Sequence, residues 1–339
     1  MPTPPDILRA ASAELVVTDL ERSRWFYTET LGLVVTAADD DALYLRGMEE
    51  YTHHSLVLRR GEQPALARLS YRVRTPADLD AAEAYFGALG LPTRRVPAGT
   101  TLGIGEAVRV LDPLGFPMEL FHDVTHVPRL TQRYDLYHGV EPARLDHFNV
   151  MTPDIAAGHR FYSDLGFRCS ETIEDESTLY AAWLARKSTV HDIALTGGAG
   201  PRLHHIAFFT PEARNVLHLC DVLGSLGNQA HIERGPGRHG VSNAFYVYLR
   251  DPDGHRVEIY TTDYYTGDPD NPTLRWDVRD ERRRDFWGHA VVESWYREAS
   301  TVLDLDGRPQ QLLERAEPHE IDVVVGADGF TAARESLRQ

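Results

Sequence analysis

Histidine and carboxylate side chains stand inside apolar runs of this chain, where each needs a partner. RLDHFNVMTPD, from Arg144, reads as a short buried strand, yet it carries His147 and Asn149 two apart, on one face of that strand. PRLHHIAF, from Pro201, carries His204 and His205, which a strand points in opposite directions. DPDGHRVEIY, from Asp251, reads as a tight turn followed by a strand, with Glu258 between Val257 and Ile259. Burying a lone carboxylate costs several kcal/mol, so Glu258 must find a partner or face water. Taken singly, a strand histidine is ordinarily hydrogen-bonded structure, and a lone glutamate pairs with an arginine. Taken together, His147, His205 and Glu258 are two imidazoles and a carboxylate, the facial set that holds Fe(II) or Mn(II) with coordination positions left open. Open positions let a substrate and O2 meet on one ion.

The elements that must position these residues come in repeats. VVTDLERSRWFYTETLGL, from Val16, echoes VMTPDIAAGHRFYSDLGF, from Val150. RLSYRVRTPADLDAAEAYFGALG, from Arg68, echoes RLHHIAFFTPEARNVLHLCDVLGSLG, from Arg202, and VLDPLGFPMELF, from Val110, echoes LRDPDGHRVEIY, from Leu249. Each unit runs from a strand through a helix to strands rich in Val, Leu, Tyr and Phe, with Thr or Asp capping the helix and the glycine of "LG" ending it. The pattern predicts an α+β fold of four βαβββ modules in two tandem domains, residues 1–135 and 136–265, and a tail, residues 266–339, that packs back over the second domain as a lid. Matching Thr75-Pro76 to Thr210-Pro211 sets Ser70 against His205 and selects His205 over His204 as the ligand, with His204 behind it or in the packing. Glu119 stands where Glu258 does, and Ser12 or Ala13 stands where His147 does. The first copy keeps the shape without the ligands, so one ion per chain is expected, in the second copy.

A formal charge of −16 over 339 residues disfavours nucleic acid and anionic membrane as partners, while a local basic cluster still admits an anionic small molecule. Hydrophobic content of 42% and charged content of 25% fit a globular protein. Two cysteines, Cys169 and Cys220, make no disulfide framework and fit a reducing cytoplasm. No signal peptide is read at the N-terminus, and no apolar run approaches the ~20 residues of a membrane span.

With LDHFN, RKSTVHDIALTGG, PRLHHIAF, ERGPGRHGVSNAFY and DPDGHRVEIY in one order, the chain resembles the type I extradiol ring-cleaving dioxygenases of the vicinal oxygen chelate superfamily over nearly its whole length. The DPxG…E pattern alone would not separate it from glyoxalases and epimerases. The resemblance implies metal ligation by His147, His205 and Glu258, with Fe(II) the favoured ion and Mn(II) the alternative. It implies His191 as the acid–base histidine, Tyr248 beside the substrate oxygen, Asn149 on the O2 side of the metal, and Trp183 walling the ring pocket. On composition alone, Tyr246, Tyr248 and Trp183 read as core and His191 as a strand-end surface residue. Arg234, His239 and Arg284 are implied to gather an acidic side chain of the catechol, the planar guanidinium fork suiting a carboxylate, and His239 is a candidate second proton donor. Arg282 and Arg283 read as a solvated charge run with Glu281 and Asp285. The implied reaction, a step of aromatic catabolism, is proximal extradiol cleavage of 3,4-dihydroxyphenylacetate by O2 in a cytoplasmic homotetramer. The alternatives are another catechol, or a binding protein of the same superfamily without chemistry.

Overall fold

The computed structural model describes residues 2–326, and one unit recurs along them. The first module comprises β1 (Ile7–Val17), α1 (Leu20–Arg24), β2 (Val34–Ala38), β3 (Ala42–Arg46) and β4 (Leu56–Arg60). The second comprises β5 (Ala65–Val73), α2 (Ala77–Ala88), β6 (Thr93–Val96), β7 (Ala107–Leu111) and β8 (Pro117–Phe121). The third comprises β9 (Arg144–Thr152), α3 (Ile155–Asp164), β10 (Arg168–Glu174), β11 (Leu179–Ala185) and β12 (Ile193–Gly197). The fourth comprises β13 (Arg202–Phe209), α4 (Ala213–Ser225), β14 (Ile232–Arg238), β15 (Phe245–Arg250) and β16 (Arg256–Thr261). These are the four βαβββ modules of the expected α+β fold.

Modules join in pairs through their first strands, β1 antiparallel to β5 and β9 antiparallel to β13. The sheets run β2-β3-β4-β1-β5-β8-β7-β6 and β14-β15-β16-β13-β9-β12-β11-β10. Side chains alternate across each strand. On β9 and β13, Phe148, Val150, Ile206 and Phe208 enter a hydrophobic core shared by both halves of the chain, where Tyr71 meets Phe148 edge-on at 5.8 Å. His147, Asn149, His205 and Ala207 take the opposite face. The alternation that made the histidines stand out in the sequence is the alternation that sends them to a cleft.

Helix ends follow the expected chemistry in part. Gly32, Gly90, Gly166 and Gly227 of the "LG" motifs all adopt positive φ, between +71° and +89°, which a Cβ would strain. Asp19 and Asp154 cap α1 and α3. Thr75 and Thr210 cap nothing: Thr75 is held by Asp78, and the Thr210 hydroxyl donates to the Val140 carbonyl at 2.7 Å, so that turn serves packing between modules instead.

The recurrent FY and DPxG motifs meet across the two copies. Tyr162 donates to Asp112 Oδ2 and Tyr27 donates to Asp251 Oδ2, each at 3.0 Å, while the other oxygen of each aspartate accepts backbone amides of its own turn. Both pairs are buried. We expect Tyr162→Phe, which strands a buried carboxylate oxygen, to lower unfolding free energy by about 1–3 kcal/mol, read as a lower urea midpoint at unchanged slope.

The segment after residue 265 contributes more than a cover. β17 (Leu274–Asp277) extends the second sheet parallel to β10, and β18 (Ser300–Thr301) pairs with β13. Beyond it the chain crosses to the first sheet, where the Leu303 amide donates to the Leu66 carbonyl and Arg94 pairs with Asp306. Helix α5 (Glu293–Arg297) precedes β18, α6 (Glu320–Gly326) brings the chain back beside Arg283 and Arg284, and residues 327–339 of the expected tail lie outside the described residues. Among the described residues, no helix is long and apolar enough to cross a membrane.

Candidate active site

Three neighbouring strands, β16, β13 and β9, build the centre. In the strand register His147 stands opposite Ala207 and Ala207 opposite Glu258, so a methyl group occupies the middle of that row and leaves room for the larger side chains around it. His205 lies two residues before Ala207 on the same face. The ligand atoms of His147, His205 and Glu258 lie within 4.8 Å of one another, and all three residues are buried. His147 Nε2 and His205 Nε2 reach the same carboxylate oxygen, Glu258 Oε2, at 3.0 and 3.1 Å. Burial alone would raise the Glu258 carboxyl, but the facing imidazoles of His147, His205 and His239 hold it well below the usual range.

The residues around the trio fit a metal ion. Asp146 Oδ2 lies 3.0 Å from His147 Nδ1. Burial works against the Asp146 charge, but Lys187 at 3.1 Å, His147 and Arg144 keep the carboxyl ionised far below its ordinary value. An ionised carboxylate only accepts, so Nδ1 of His147 carries the proton and Nε2 faces Glu258. One divalent ion would satisfy both imidazole nitrogens and the carboxylate oxygen that converge there, and the donor set suits Fe(II) or Mn(II).

Around this point is a cleft lined by Asn149, Trp183, His191, His239, Tyr248, Tyr260, Arg283, Arg284 and Trp295, among others. His191 lies with its ring 3.8 Å from that of His147, and its Nδ1 has no partner. Burial and the neighbouring His147 push its pKa well below the ordinary histidine value, so it is held neutral with a nitrogen to offer. It is 6% exposed and belongs to the cleft, not the surface. Asn149 accepts from the Thr196 hydroxyl at 3.0 Å. Tyr248 stands opposite Glu258 in the register and contacts His239 Nε2 at 2.9 Å, while His239 Nδ1 reaches the Arg284 carbonyl at 2.6 Å. The carbonyl accepts, so His239 Nδ1 donates, and Tyr248 donates to Nε2.

The arginines divide differently from the sequence reading. Arg282 is exposed and pairs with Asp280, as a solvated residue should. Arg283 corrects that reading: it is 2% exposed, lines the cleft and sits 2.8 Å from Glu320. The 3-10 turn Glu281–Arg283 rotates it inward, where α6 supplies a buried carboxylate. Arg284 gives Nε and Nη2 to the same Glu320 and lies over the rings of Trp183 and Trp295. Arg234 is wedged among Tyr246, Tyr248 and Trp295; its Nη2 donates to the Arg284 carbonyl and its Nη1 is buried without a partner. Sequence reasoning does not single out Trp295, Tyr260, Arg283 or Glu320; alternation along the strand from Glu258 would mark Tyr260, and no local pattern marks the other three.

The first copy shows what replaces the metal. Ala13 pairs with Leu56 as Phe148 pairs with Ile193, which sets Ser12, not Ala13, at the position of His147. Glu119 stands opposite Ser70 as Glu258 stands opposite Ala207, which places Arg68, not Ser70, at the position of His205. Matching through Thr-Pro misled because β5 runs two residues further before its turn than β13 does. Arg109 occupies the place of Tyr248 and donates to Glu119 at 2.8 Å, with Arg68 at 3.4 Å. Guanidinium groups thus neutralise the retained buried carboxylate.

Comparisons with known proteins agree with this anatomy. Residues 144–259 match the Glyoxalase/Bleomycin resistance protein/Dioxygenase superfamily, and residues 68–125 match the Catechol 2,3-dioxygenase-like N-terminal domain. The chain is 30% identical to the manganese-dependent 2,3-dihydroxybiphenyl 1,2-dioxygenase of Geobacillus genomosp. 3, over 83% of this chain and 94% of that protein. It is also 30% identical to the metapyrocatechase of Geobacillus stearothermophilus, over 88% and 94%. Among solved structures, an extradiol ring-cleaving dioxygenase from B. fuscum is 59% identical with a TM-score of 0.95, covering 96% of this chain and 92% of that one. The homoprotocatechuate 2,3-dioxygenase of Brevibacterium fuscum in complex with 3,4-dihydroxyphenylacetate is 59% identical with a TM-score of 0.90, covering 92% and 98%. The chain belongs to the extradiol ring-cleaving dioxygenases of this superfamily. Enzymes of this class work with Fe(II) or Mn(II), and His147, His205 and Glu258 are the group in this chain that fits such an ion.

Proposed function

We propose that the chain cleaves 3,4-dihydroxyphenylacetate with O2 between ring carbons 2 and 3, giving 5-carboxymethyl-2-hydroxymuconic semialdehyde. The observation that carries this choice of catechol is the buried cationic wall beside the trio, where Arg234 keeps an unpartnered Nη1 close to Tyr248 and Trp295. The 59% identity to a structure that holds the same acid supports it. His147, His205 and Glu258 are the metal ligands. The ion supplies Lewis acidity and a common seat for catechol and O2. Trp183 and Trp295 wall the ring. Arg234, His239 and Arg284 receive the carboxylate arm, Arg234 through its free nitrogen. His191, held neutral, takes a catechol proton and returns it later, and Asn149 orients what lies beside the metal. Tyr248 holds its hydrogen bond to His239, which passes on to the Arg284 carbonyl and fixes both rings.

The organisation proposed is a metal-free domain over 1–135, a metal-binding domain over 136–265 and a tail over 266–339 that acts as a lid. The enzyme is proposed to be a cytoplasmic homotetramer, and the exposed Phe286 and Trp287 offer apolar surface for assembly.

Purified protein loaded with Fe(II) or Mn(II), mixed with 3,4-dihydroxyphenylacetate in air, should form the yellow semialdehyde. Consumption of neither O2 nor catechol with either metal would refute the proposal. Arg234→Leu should raise KM for the acid about 10–100-fold, the worth of one charged hydrogen bond, and leave KM for 4-methylcatechol nearly unchanged. Equal effects on both substrates would remove the carboxylate role. His191→Asn should lower kcat by about 10²–10⁴ at unchanged metal content, as loss of a general acid–base group does; an unaltered kcat would free His191 of that role.

A further inference from the structure

We infer that His204 is a positioning residue for the ligand His205, and that through His204 the C-terminal segment sets which nitrogen of that ligand is free to bind metal. This rests on the proposal that His147, His205 and Glu258 hold the ion. His204 and His205 are consecutive and almost fully buried, with their Nδ1 atoms 2.6 Å apart. One proton must lie between two nitrogens so close. On its other side His204 Nε2 is 2.7 Å from the backbone carbonyl of Trp295, in α5, and the Trp295 ring packs edge-on against the imidazole at 4.6 Å. A carbonyl only accepts, so Nε2 of His204 donates, and in the neutral ring its Nδ1 is left as an acceptor. The proton between the rings then belongs to Nδ1 of His205. That leaves the Nε2 lone pair of His205 directed to the point it shares with Glu258 and His147. Reversing the proton would put a hydrogen on Nε2 of His205 and spoil it as a ligand.

The two ligands are therefore oriented by different partners. His147 answers to a carboxylate, Asp146, within its own strand. His205 answers to a neutral imidazole, itself fixed by a carbonyl some ninety residues onward in the chain. Metal binding and the docking of α5 consequently favour each other.

The test is Mn(II) affinity by chelator competition on the full chain. Asparagine at 204 keeps an acceptor where Nδ1 stood, glutamine keeps a polar atom only near Nε2, and phenylalanine keeps neither. His204→Gln and His204→Phe should bind Mn(II) roughly 10–100-fold more weakly than wild type, the usual cost of losing such a partner, and His204→Asn should recover most of the loss. In wild type, Mn(II) should also slow amide exchange over residues 293–297, and His204→Gln should lose that response. Equal affinity in wild type, His204→Gln and His204→Phe overturns the inference. Asparagine as weak as glutamine overturns it too, because lost packing would then account for both. Absence of slowing in wild type removes the link to α5. Should His204→Phe fail to fold, the asparagine and glutamine variants decide alone. A wild-type protein that binds no Mn(II) would instead bring down the metal-site proposal itself, a separate result.

Discussion

Glu258→Gln should purify folded, without bound metal and without turnover. Glutamine preserves the volume and one oxygen but removes the charge on which two imidazole nitrogens converge at 3.0 and 3.1 Å. A bound ion's stabilisation of charge in the transition state is worth several kcal/mol, so kcat should fall by about 10³-fold or more. The fold should survive, because the substitution takes away a buried charge and strands no new one. Elemental analysis beside circular dichroism checks both halves. Glu119→Gln is the informative contrast. Its carboxylate occupies the matching place in the first copy but answers Arg68 and Arg109, so its loss should lower stability and leave metal content unchanged. Metal retained at one ion per chain in Glu258→Gln, with kcat intact, would exclude Glu258 from the donor set.

That contrast also marks what could be read from residues alone. The modules were legible because strand and helix periodicities recur four times, with glycines where positive φ is needed. The trio was legible because imidazole and carboxylate on an apolar face demand a partner, and three such demands can be met at once. The match of Ser70 to His205 failed for a physical reason. Sequence anchors align turns, whereas the sheet aligns hydrogen-bonded rungs, and extra residues before one turn separate the two. Arg283, Trp295 and Glu320 were out of reach for a different reason. They come from a segment of low periodicity that returns across the sheet, and their significance lies in what they meet after that return. A run of three arginines among acidic neighbours gives no sign that its middle member turns inward.

Glu320→Gln should lower unfolding free energy by about 3 kcal/mol at neutral pH, and the deficit should shrink in acid. Glu320 is 3% exposed, accepts hydrogen bonds from Nε and Nη2 of Arg284 and forms an ion pair with Arg283 at 2.8 Å. Burial alone would raise its carboxyl, but the charges of Arg284 and Arg283 outweigh that and hold it at about 2, against an ordinary value of 4.5. A carboxyl depressed by folding stabilises the native state above its unfolded pKa, and that contribution drains away as pH falls toward the folded one. A shift of this size corresponds to roughly 3 kcal/mol, at the lower edge of the ~3–5 kcal/mol lost when one partner of a buried pair is removed. Glutamine carries no charge to lose. The gap between wild type and variant in urea unfolding should therefore be full at pH 7 and steady down to about pH 5. Below the unfolded value of 4.5 it should close by about 1.4 kcal/mol per pH unit. A gap that stayed constant from pH 7 to pH 3.5 would assign the loss to packing of α6 and not to the charge. Glu320 occupies the Nε–Nη2 edge of Arg284, whereas Arg234 Nη1 and Arg283 Nε are buried without a hydrogen-bond partner.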